Sequence, residues 1–285
     1  MNAFDKICKD IKEVKIQGAR NVAIAATKAL LLRNDQQAIM KLISLRPTEP
    51  ALRNSIKFAM TNKDIKKGVK DALTHFDDAE KRITCIGAKR IEDGMTVYTH
   101  CHSSTVNNIL IQAKKDGKKF TVHCTETRPL FQGRITAAAL SKAGIPVHFY
   151  VDSAARIALK KADIMLIGAD AITTTKIFNK IGSEMFSLTA KAYNVPIYVC
   201  TDSWKFDAQS IYGGEEEIEK RSAKEIWPNA PKNINIENFT FEKIDPRLID
   251  AIISEIGVYG HTAFMEEAKK AYPWMFEKGM ILGRF

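Results

Sequence analysis

The sequence predicts an α/β protein in which an N-terminal helical domain, residues 1–82, is followed by a Rossmann-like parallel-sheet domain, residues 83–285. Two observations predict this architecture. The first part of the chain contains helix-like runs and no strand-like run, whereas short β-branched or aromatic runs begin near residue 84. From there on, strand-like runs alternate with helix-like segments, which is typical of βαβ units and a parallel sheet.

The helical prediction for the first domain depends on three segments. Residues 21–33 are rich in Ala and Leu and contain no Gly or Pro, which favours a helix. Residues 36–44 and 52–61 continue the pattern. Pro47 lies between them, and the residue before a proline avoids the helical region, so we expect a break there.

Five short apolar runs predict the strands of the second domain, at residues 95–100, 120–124, 145–151, 163–169 and 195–200. Helix-like segments separate them, at residues 104–115, 135–143, 153–160 and 182–193. Because the runs are apolar almost throughout, we expect a sheet covered on both faces. The polar stretch 206–241 predicts an irregular excursion or interface arm, and order resumes over 246–257.

Composition and charge narrow the class of protein. Apolar residues are 45% of the 285, and no apolar run or N-terminal segment predicts a membrane helix or a secretory signal, so we expect a cytoplasmic protein. Five cysteines without CxxC spacing predict no disulfide framework, metal or cofactor. The formal charge of +10, without interleaved aromatic residues, favours a small phosphorylated ligand over a nucleic acid.

Reactive side chains follow the predicted strands, and ligands of open α/β sheets bind beyond the carboxyl ends of the strands. Cys101 follows the first strand, just before a helix expected near Ser104, so the helix dipole is predicted to lower the pKa of its thiol. The same helix start, with Ser103, Ser104 and Thr105, could hold a phosphate. A small buried hydrophobe is the alternative interpretation of Cys101.

Asp170 follows the fourth strand, where a partly desolvated carboxylate can act as a general acid or base. A helix cap or a turn residue is the alternative. His100 and His102 flank Cys101, but alternate residues of a strand point to opposite faces, so no metal site is predicted there.

Several cations are candidates for phosphate contacts, although a solvated surface charge is the ordinary alternative for each. They are Arg46, Arg128, Lys180 and Lys205, which lie in turns or next to strand ends. The short loop formed by Gly18, Ala19 and Arg20 opens a helix and is a further candidate anion cradle.

Six motifs occur in one order along the chain: residues 99–104 (THCHSS), 125–133 (TETRPLFQG), 151–155 (VDSAA), 167–170 (IGAD), 179–182 (NKIG) and 203–206 (SWKF). Together they resemble the superfamily of aldose-phosphate isomerases and translation initiation factor 2B alpha, beta and delta subunits. The resemblance runs from about residue 10 to Gly257 and implies a Rossmann-like fold.

Within that superfamily, the isomerases keep a cysteine and an aspartate at the positions of Cys101 and Asp170, whereas the regulatory subunits typically lose one or both. Ala171 stands where methylthioribose-1-phosphate isomerases usually have arginine, so the chain is more similar to archaeal ribose-1,5-bisphosphate isomerases. A regulatory subunit and a methylthioribose-1-phosphate isomerase stay as alternatives. Gln17 departs from the usual arginine before Gly-Ala.

The resemblance also implies roles and partners. Cys101 would act as the base at C2 of ribose 1,5-bisphosphate and Asp170 as the acid toward the ring oxygen, with a hydride shift as the alternative route. Phosphates would contact Arg46, Ser103, Ser104, Lys180 and Lys205, and Gln132 and Asn179 would orient hydroxyls or phosphate oxygens. A homo-oligomer (dimer or hexamer), a place in AMP metabolism and activation by AMP are further implications.

Overall fold

The computed structural model describes residues 1–213, 218 and 220–277. Its N-terminal part consists of the helices α1 (Ala3–Lys12), α2 (Ala19–Ala29), α3 (Gln36–Ser44), α4 (Pro50–Met60) and α5 (Ile65–Ala88). The predicted helices are confirmed: α3 has the predicted bounds, and α2 and α4 overlap theirs. Within the described ranges, no helix combines the length and hydropathy that crossing a bilayer requires.

The helix starts follow from local chemistry. The Asp35 carboxylate accepts a hydrogen bond from the Ala38 amide at the start of α3, and Pro50 occupies the first turn of α4, where its missing amide hydrogen costs nothing. Helix α5 is 24 residues long and continues through residue 82, where the sequence predicts the domain boundary. A Cβ on Gly68 of α5 would lie 2.0 Å from the Ala59 carbonyl oxygen, so α4 and α5 cross at close range.

The second part contains a seven-stranded sheet, as the alternating pattern predicts. Its strands are β1 (Thr96–Thr99), β2 (Thr121–Thr125), β3 (Val147–Tyr150), β4 (Ile164–Ile167), β7 (Ile197–Cys200), β9 (Ala251–Ser254) and β10 (Gly257–Tyr259), in the order β10-β9-β7-β4-β1-β2-β3. All neighbours are parallel except β9 and β10. The helices of this part are α6 (Ser104–Lys115), α7 (Gln132–Lys142), α8 (Ala155–Leu159), α9 (Ser183–Ala192) and α10 (His261–Ala271).

Apolar packing joins the two parts of the chain. Every residue of β4 is buried, as expected for a central parallel strand covered on both faces. Phe76 of α5 belongs to the same buried cluster as Met165 of β4 and Ile197 of β7. The N-terminal helices therefore pack on the sheet through a continuous apolar core, with Trp204 fully buried inside it.

The structure also contains a small antiparallel sheet that the sequence did not predict. It consists of β5 (Ala171–Ile172), β6 (Ile177–Lys180) and β8 (Phe241–Ile244), in the order β5-β6-β8. Between the β7 end and β8, the described part of the predicted excursion contains short 3-10 turns at Ala208–Tyr212 and Ala223–Glu225. This sheet places residues 179 and 180 beside the carboxyl end of the large sheet.

Candidate active site

The crevice between β1 and β4 brings the two predicted reactive residues to neighbouring strand ends. Connections from β1 run outward to β2 and β3, whereas β4 lies on the other side of β1, so the strand order reverses between them. Thr99 pairs with Leu166 in the parallel register of these strands. Cys101 follows Thr99 by two residues and Asp170 follows Leu166 by four, and a switch point of this kind is where open α/β sheets bind ligands.

Backbone hydrogen bonds hold Cys101 in an unusual conformation. Its φ angle of 68° is left-handed, a region that residues other than glycine seldom adopt. The Cys101 amide donates to Thr127 Oγ1 at 3.0 Å, and the Cys101 carbonyl accepts from Thr136 Oγ1 at 2.9 Å. Strained backbone that is fixed from both sides is typical of active sites, where it aims a side chain.

The loop after β2 is fixed in turn by Asp152, which follows β3. Its carboxylate accepts hydrogen bonds from the Thr127 amide at 2.9 Å and the Arg128 amide at 2.7 Å. Three consecutive strand ends, at β1, β2 and β3, are thereby joined in one hydrogen-bonded unit around Cys101.

The start of α6 lies against the end of β4. Ser103 caps the helix, its Oγ accepting from the Val106 amide at 3.3 Å, and Ser104 and Thr105 form the first turn. A Cβ on Gly168 would lie 2.9 Å from Ser103 Oγ, so only glycine permits this approach. The helix amides and the Asp170 segment therefore share the crevice.

The pKa of the Cys101 thiol corrects a sequence-based prediction. The position before α6 predicts a lowered pKa, but burial raises the pKa of Cys101 to about 12. The Lys180 ammonium opposes this rise, while the carboxylates of Asp170 and Asp152 add to it. The prediction was wrong because the free-energy cost of removing a thiolate from water exceeds its stabilisation by the helix dipole here.

Asp170 lies among three cations that come from different elements. Burial raises the pKa of its carboxyl, and Lys205, Arg46 and Lys180 oppose the rise in that order. Arg46, in the turn before α4, donates to Glu49 Oε1 at 2.7 Å, and Lys205 Nζ donates to the Ala169 carbonyl at 2.6 Å. A carboxyl with a raised pKa beside positive charge suits an acid that acts next to bound phosphate.

Lys180, Asn179 and Gln132 complete the polar lining. Lys180 is buried, and burial lowers the pKa of its ammonium while the nearby Cys101 opposes that effect. Asn179 Nδ2 donates to Ser183 Oγ at 2.9 Å, which orients its amide. Gln132 begins α7, and its Oε1 is buried without a hydrogen-bond partner among the residues that the structure describes.

Arg20 lies elsewhere. Gly18 caps α2 with a φ of 84°, so the predicted loop does open a helix, and Ala19 is buried. The Arg20 guanidinium, however, pairs with Asp77 at 2.9 Å and Glu80 at 3.1 Å on α5. Within the described part of the chain, the structure thus brings Arg20 to α5 rather than to Cys101 and Asp170.

His100 is a structural link between β1 and β6. Its Nε2 lies 2.9 Å from the Ile181 carbonyl, which accepts its hydrogen, and its Nδ1 lies 3.0 Å from Thr125 Oγ1. Burial lowers the pKa of His100 to about 4, so the ring is neutral at pH 7. Both ring nitrogens are occupied by protein partners.

One group of potential metal ligands occurs in residues 1–213, 218 and 220–277: His75, Asp202 and Glu255, whose ligand atoms lie within 4.8 Å of one another. Their oxygens already have protein donors. Asp202 Oδ1 accepts from the Trp204 amide at 2.7 Å, and Glu255 accepts from the Ser203 amide and hydroxyl. We interpret the group as a hydrogen-bonded network, and we assign no metal to it.

Residues 14–260 match the family model of the Initiation factor 2 subunit family. The chain belongs to this family. A member from Pyrococcus horikoshii, described as translation initiation factor eIF-2B, has a TM-score of 0.81 and 25% identity over 91% of this chain and 98% of its own.

Two kinds of isomerase resemble this Initiation factor 2 family member in sequence. The ribose 1,5-bisphosphate isomerase of Pyrococcus furiosus is 40% identical over 70% of this chain and 64% of its own length. The methylthioribose-1-phosphate isomerase of Fervidobacterium nodosum is 35% identical over 71% of this chain and 61% of its own. The chain thus spans under two thirds of the length of the curated relatives it matches.

Several site residues of this family member escaped the sequence-based prediction. Thr127 and Asp152 lie inside two of the six motifs and Thr136 lies in none, but their hydrogen bonds around Cys101 appear only in the fold. Arg221 is another, since it pairs with Glu225 at 2.8 Å and its charge reaches Lys180 from the excursion. The polar composition of the excursion was the sequence feature that could have pointed to Arg221.

Proposed function

We propose that this chain is an aldose–ketose isomerase that converts ribose 1,5-bisphosphate into ribulose 1,5-bisphosphate. The observation that carries the proposal is the placement of the Cys101 thiol and the Asp170 carboxyl at adjacent ends of β1 and β4, with three cations around Asp170. The 40% identity to a ribose 1,5-bisphosphate isomerase supports the choice of substrate.

The reaction requires one acid and one base. The anomeric phosphate keeps the sugar ring closed, so the ring oxygen must gain a proton as the C1–O bond breaks. A hydrogen moves from C2 to C1, and the C2 hydroxyl loses its proton to become the ketone. Atoms balance without an oxidant or a metal, and two titratable groups on either side of the sugar suit the task.

Asp170 is the proposed acid, because burial raises the pKa of its carboxyl and favours the protonated form. Cys101 is the proposed base at C2. We propose that the thiol first transfers its proton to the Asp170 carboxylate, which leaves Asp170 protonated for its role as acid. Because burial raises the pKa of the thiol to about 12, the thiolate so formed is a strong base toward a weakly acidic C–H. A direct hydride shift is the other route, and the two differ in whether deuterium from the solvent enters C1.

The two phosphates of ribose 1,5-bisphosphate require two sets of positively charged or hydrogen-bond-donating groups. Lys180 lies on the Cys101 side, with the amides of the first turn of α6 at Ser103, Ser104 and Thr105. Arg46 and Lys205 lie on the Asp170 side. Gln132 and Asn179 are proposed to orient hydroxyls, and the unpaired Gln132 Oε1 is an acceptor suited to one. Gly18, Ala19 and Arg20 are proposed as a more distant anion contact.

Two competing functions are separable on chemical grounds. Methylthioribose 1-phosphate carries an uncharged thioether where ribose 1,5-bisphosphate carries its second phosphate, so it offers one anionic group fewer to this cationic set. The likeness to a translation initiation factor from Pyrococcus horikoshii favours a regulatory subunit, but retention of both Cys101 and Asp170 supports catalysis. We further propose a cytoplasmic homo-oligomer, a dimer or hexamer, that acts in AMP metabolism and is activated by AMP.

A side-by-side assay tests the proposal. The purified chain is supplied with ribose 1,5-bisphosphate or methylthioribose 1-phosphate, with and without AMP, and the ketose product is followed by phosphorus NMR. We expect turnover of the bisphosphate with kcat/KM at least about 100-fold above that for the thioether sugar. Turnover of neither sugar, with binding of a translation factor, would overturn the proposal in favour of the regulatory subunit.

A further inference from the structure

The turn that carries Lys205 follows β7 and is mostly buried. Lys205 Nζ donates to the Ala169 carbonyl at 2.6 Å, one residue before Asp170. Its neighbours Trp204 and Phe206 are fully buried, so the backbone of the turn lies inside the protein. Because the four-carbon stem of a lysine is flexible, the position of the ammonium is set jointly by its bond to Ala169 and by the backbone beneath the side chain.

Asn54 of α4 holds that backbone on both sides of Lys205. Its Nδ2 donates to the Trp204 carbonyl at 2.7 Å and to the Phe206 carbonyl at 2.9 Å. An amide nitrogen has two hydrogens, so this side chain uses its entire donor capacity on the two residues that flank Lys205. Asn54 is buried, and water does not replace these bonds easily.

Backbone bonds also hold the turn: the Lys205 amide donates to the Asp202 carbonyl at 3.1 Å and the Phe206 amide to the Ser203 carbonyl at 2.9 Å. Asp202 caps the turn through the Trp204 amide at 2.7 Å, and Arg53 pairs with Asp207 at 3.1 Å. In residues 1–213, 218 and 220–277, the carbonyls on either side of Lys205 have Asn54 as their side-chain donor. Through these two bonds, α4 holds the backbone on both sides of Lys205.

We propose that Asn54 is a positioning residue that acts through Lys205: it fixes the ammonium beside Asp170 for contact with a substrate phosphate. The inference rests on the proposed function, because it assigns Lys205 to a phosphate. Displacing a positioned group by about 1 Å costs about 100-fold where the contact matters fully, and we expect about tenfold here, because the ends of the turn stay fixed.

A double-mutant cycle between Asn54→Ala and Lys205→Met tests this. The dissociation constants of ribose 1,5-bisphosphate and of inorganic phosphate are measured by calorimetry, with the thermal midpoint of each variant. Asn54→Ala should weaken binding about tenfold when Lys205 is present and less than about twofold in the Lys205→Met background. Ser55→Ala is the matched control, since Ser55 lies on the same helix and bonds Leu52 and Thr27 instead.

Each outcome decides the inference. Equal weakening in both backgrounds, or the same weakening by Ser55→Ala, would show a general structural effect and overturn it. Asn54→Ser keeps one hydroxyl donor and carries the cycle if Asn54→Ala does not fold. If the variants bind as predicted but the wild type does not turn over the sugar, the isomerase function is wrong and the positioning role of Asn54 stands. If the wild type binds neither ribose 1,5-bisphosphate nor inorganic phosphate, the positioning role is wrong.

Discussion

Thr127 Oγ1 accepts a 3.0 Å hydrogen bond from the amide of Cys101, and this contact joins the loop after β2 to the left-handed residue that carries the proposed base. Thr127 is fully buried, so no solvent competes for the bond. The relationship explains how a residue with a φ of 68° is kept in place at the end of β1.

Removing that acceptor should impair the reaction. Thr127→Val keeps the shape of the side chain but leaves the Cys101 amide unpaired, which costs about 1–3 kcal/mol and lets the thiol move. We expect kcat for ribose 1,5-bisphosphate to fall at least about tenfold, measured in steady-state assays. Thr127→Ser retains the oxygen and serves as the control; equal kcat values for the two variants would contradict the role.

The raised pKa of Cys101 predicts slow alkylation of its thiol. Exposed Cys85 should react with iodoacetamide at pH 7.5 at least about tenfold faster than Cys101, since the thiolate is the nucleophile. Asp170→Asn should speed modification of Cys101 and Lys180→Met should slow it, because the carboxylate raises and the ammonium lowers the pKa of the thiol. Time-resolved mass spectrometry of the wild type compares the two cysteines, and a Cys85→Ser background isolates the effect of each substitution on Cys101. Faster reaction at Cys101 than at Cys85 in the wild type would refute the assignment.

The close approach of Gly168 to Ser103 predicts a separation of activity from stability. In Gly168→Ala the new Cβ would lie 2.9 Å from Ser103 Oγ, so the Ser103 side chain, which caps α6, must move. We expect kcat/KM to fall about 10- to 100-fold while the thermal midpoint drops by only a few degrees. Gly260→Ala, whose Cβ would meet no atom within 4 Å, is the control; similar kinetics for both would contradict the prediction.

The His75–Asp202 pair predicts a pH-dependent contribution to stability. Burial lowers the pKa of His75, but the Asp202 carboxylate outweighs it, and the folded-state pKa is raised. The stabilisation is therefore complete below the unfolded value of about 6.5 and is lost as pH rises through the folded value. Urea unfolding should give a wild-type minus His75→Gln free-energy difference that shrinks as the pH rises from about 6 to about 9. In an Asp202→Asn background that dependence should vanish; persistence there would assign it to another group.

Sequence patterns predicted the elements whose signal is local. Helix α3 has its predicted bounds because Asp35 caps an apolar run, and β4 stands out because a buried parallel strand is apolar throughout. The small sheet escaped prediction, since β5 has two residues and β6 pairs with β8 across a long excursion. Pairing between distant segments leaves no periodic signal in either one.

Some features of the candidate site were likewise predictable from the sequence, and others were not. The placement of Cys101 and Asp170 at neighbouring strand ends was predictable, because each follows an apolar strand-like run of a parallel sheet. The electrostatic balance was not predictable, since the pKa of Cys101 depends on how deeply the fold buries its thiol. The contact between Asn54 and the Lys205 turn spans about 150 residues of sequence and appears only in the folded molecule.

The central claim is that the thiol of Cys101 and the carboxyl of Asp170 together carry out the isomerisation. Turnover of ribose 1,5-bisphosphate by the wild type, Cys101→Ser and Asp170→Asn, with the dissociation constant of each, tests it most directly. We predict that each substitution lowers kcat by about 100- to 10,000-fold while binding changes by only a few fold. An unchanged kcat in either variant would contradict the account.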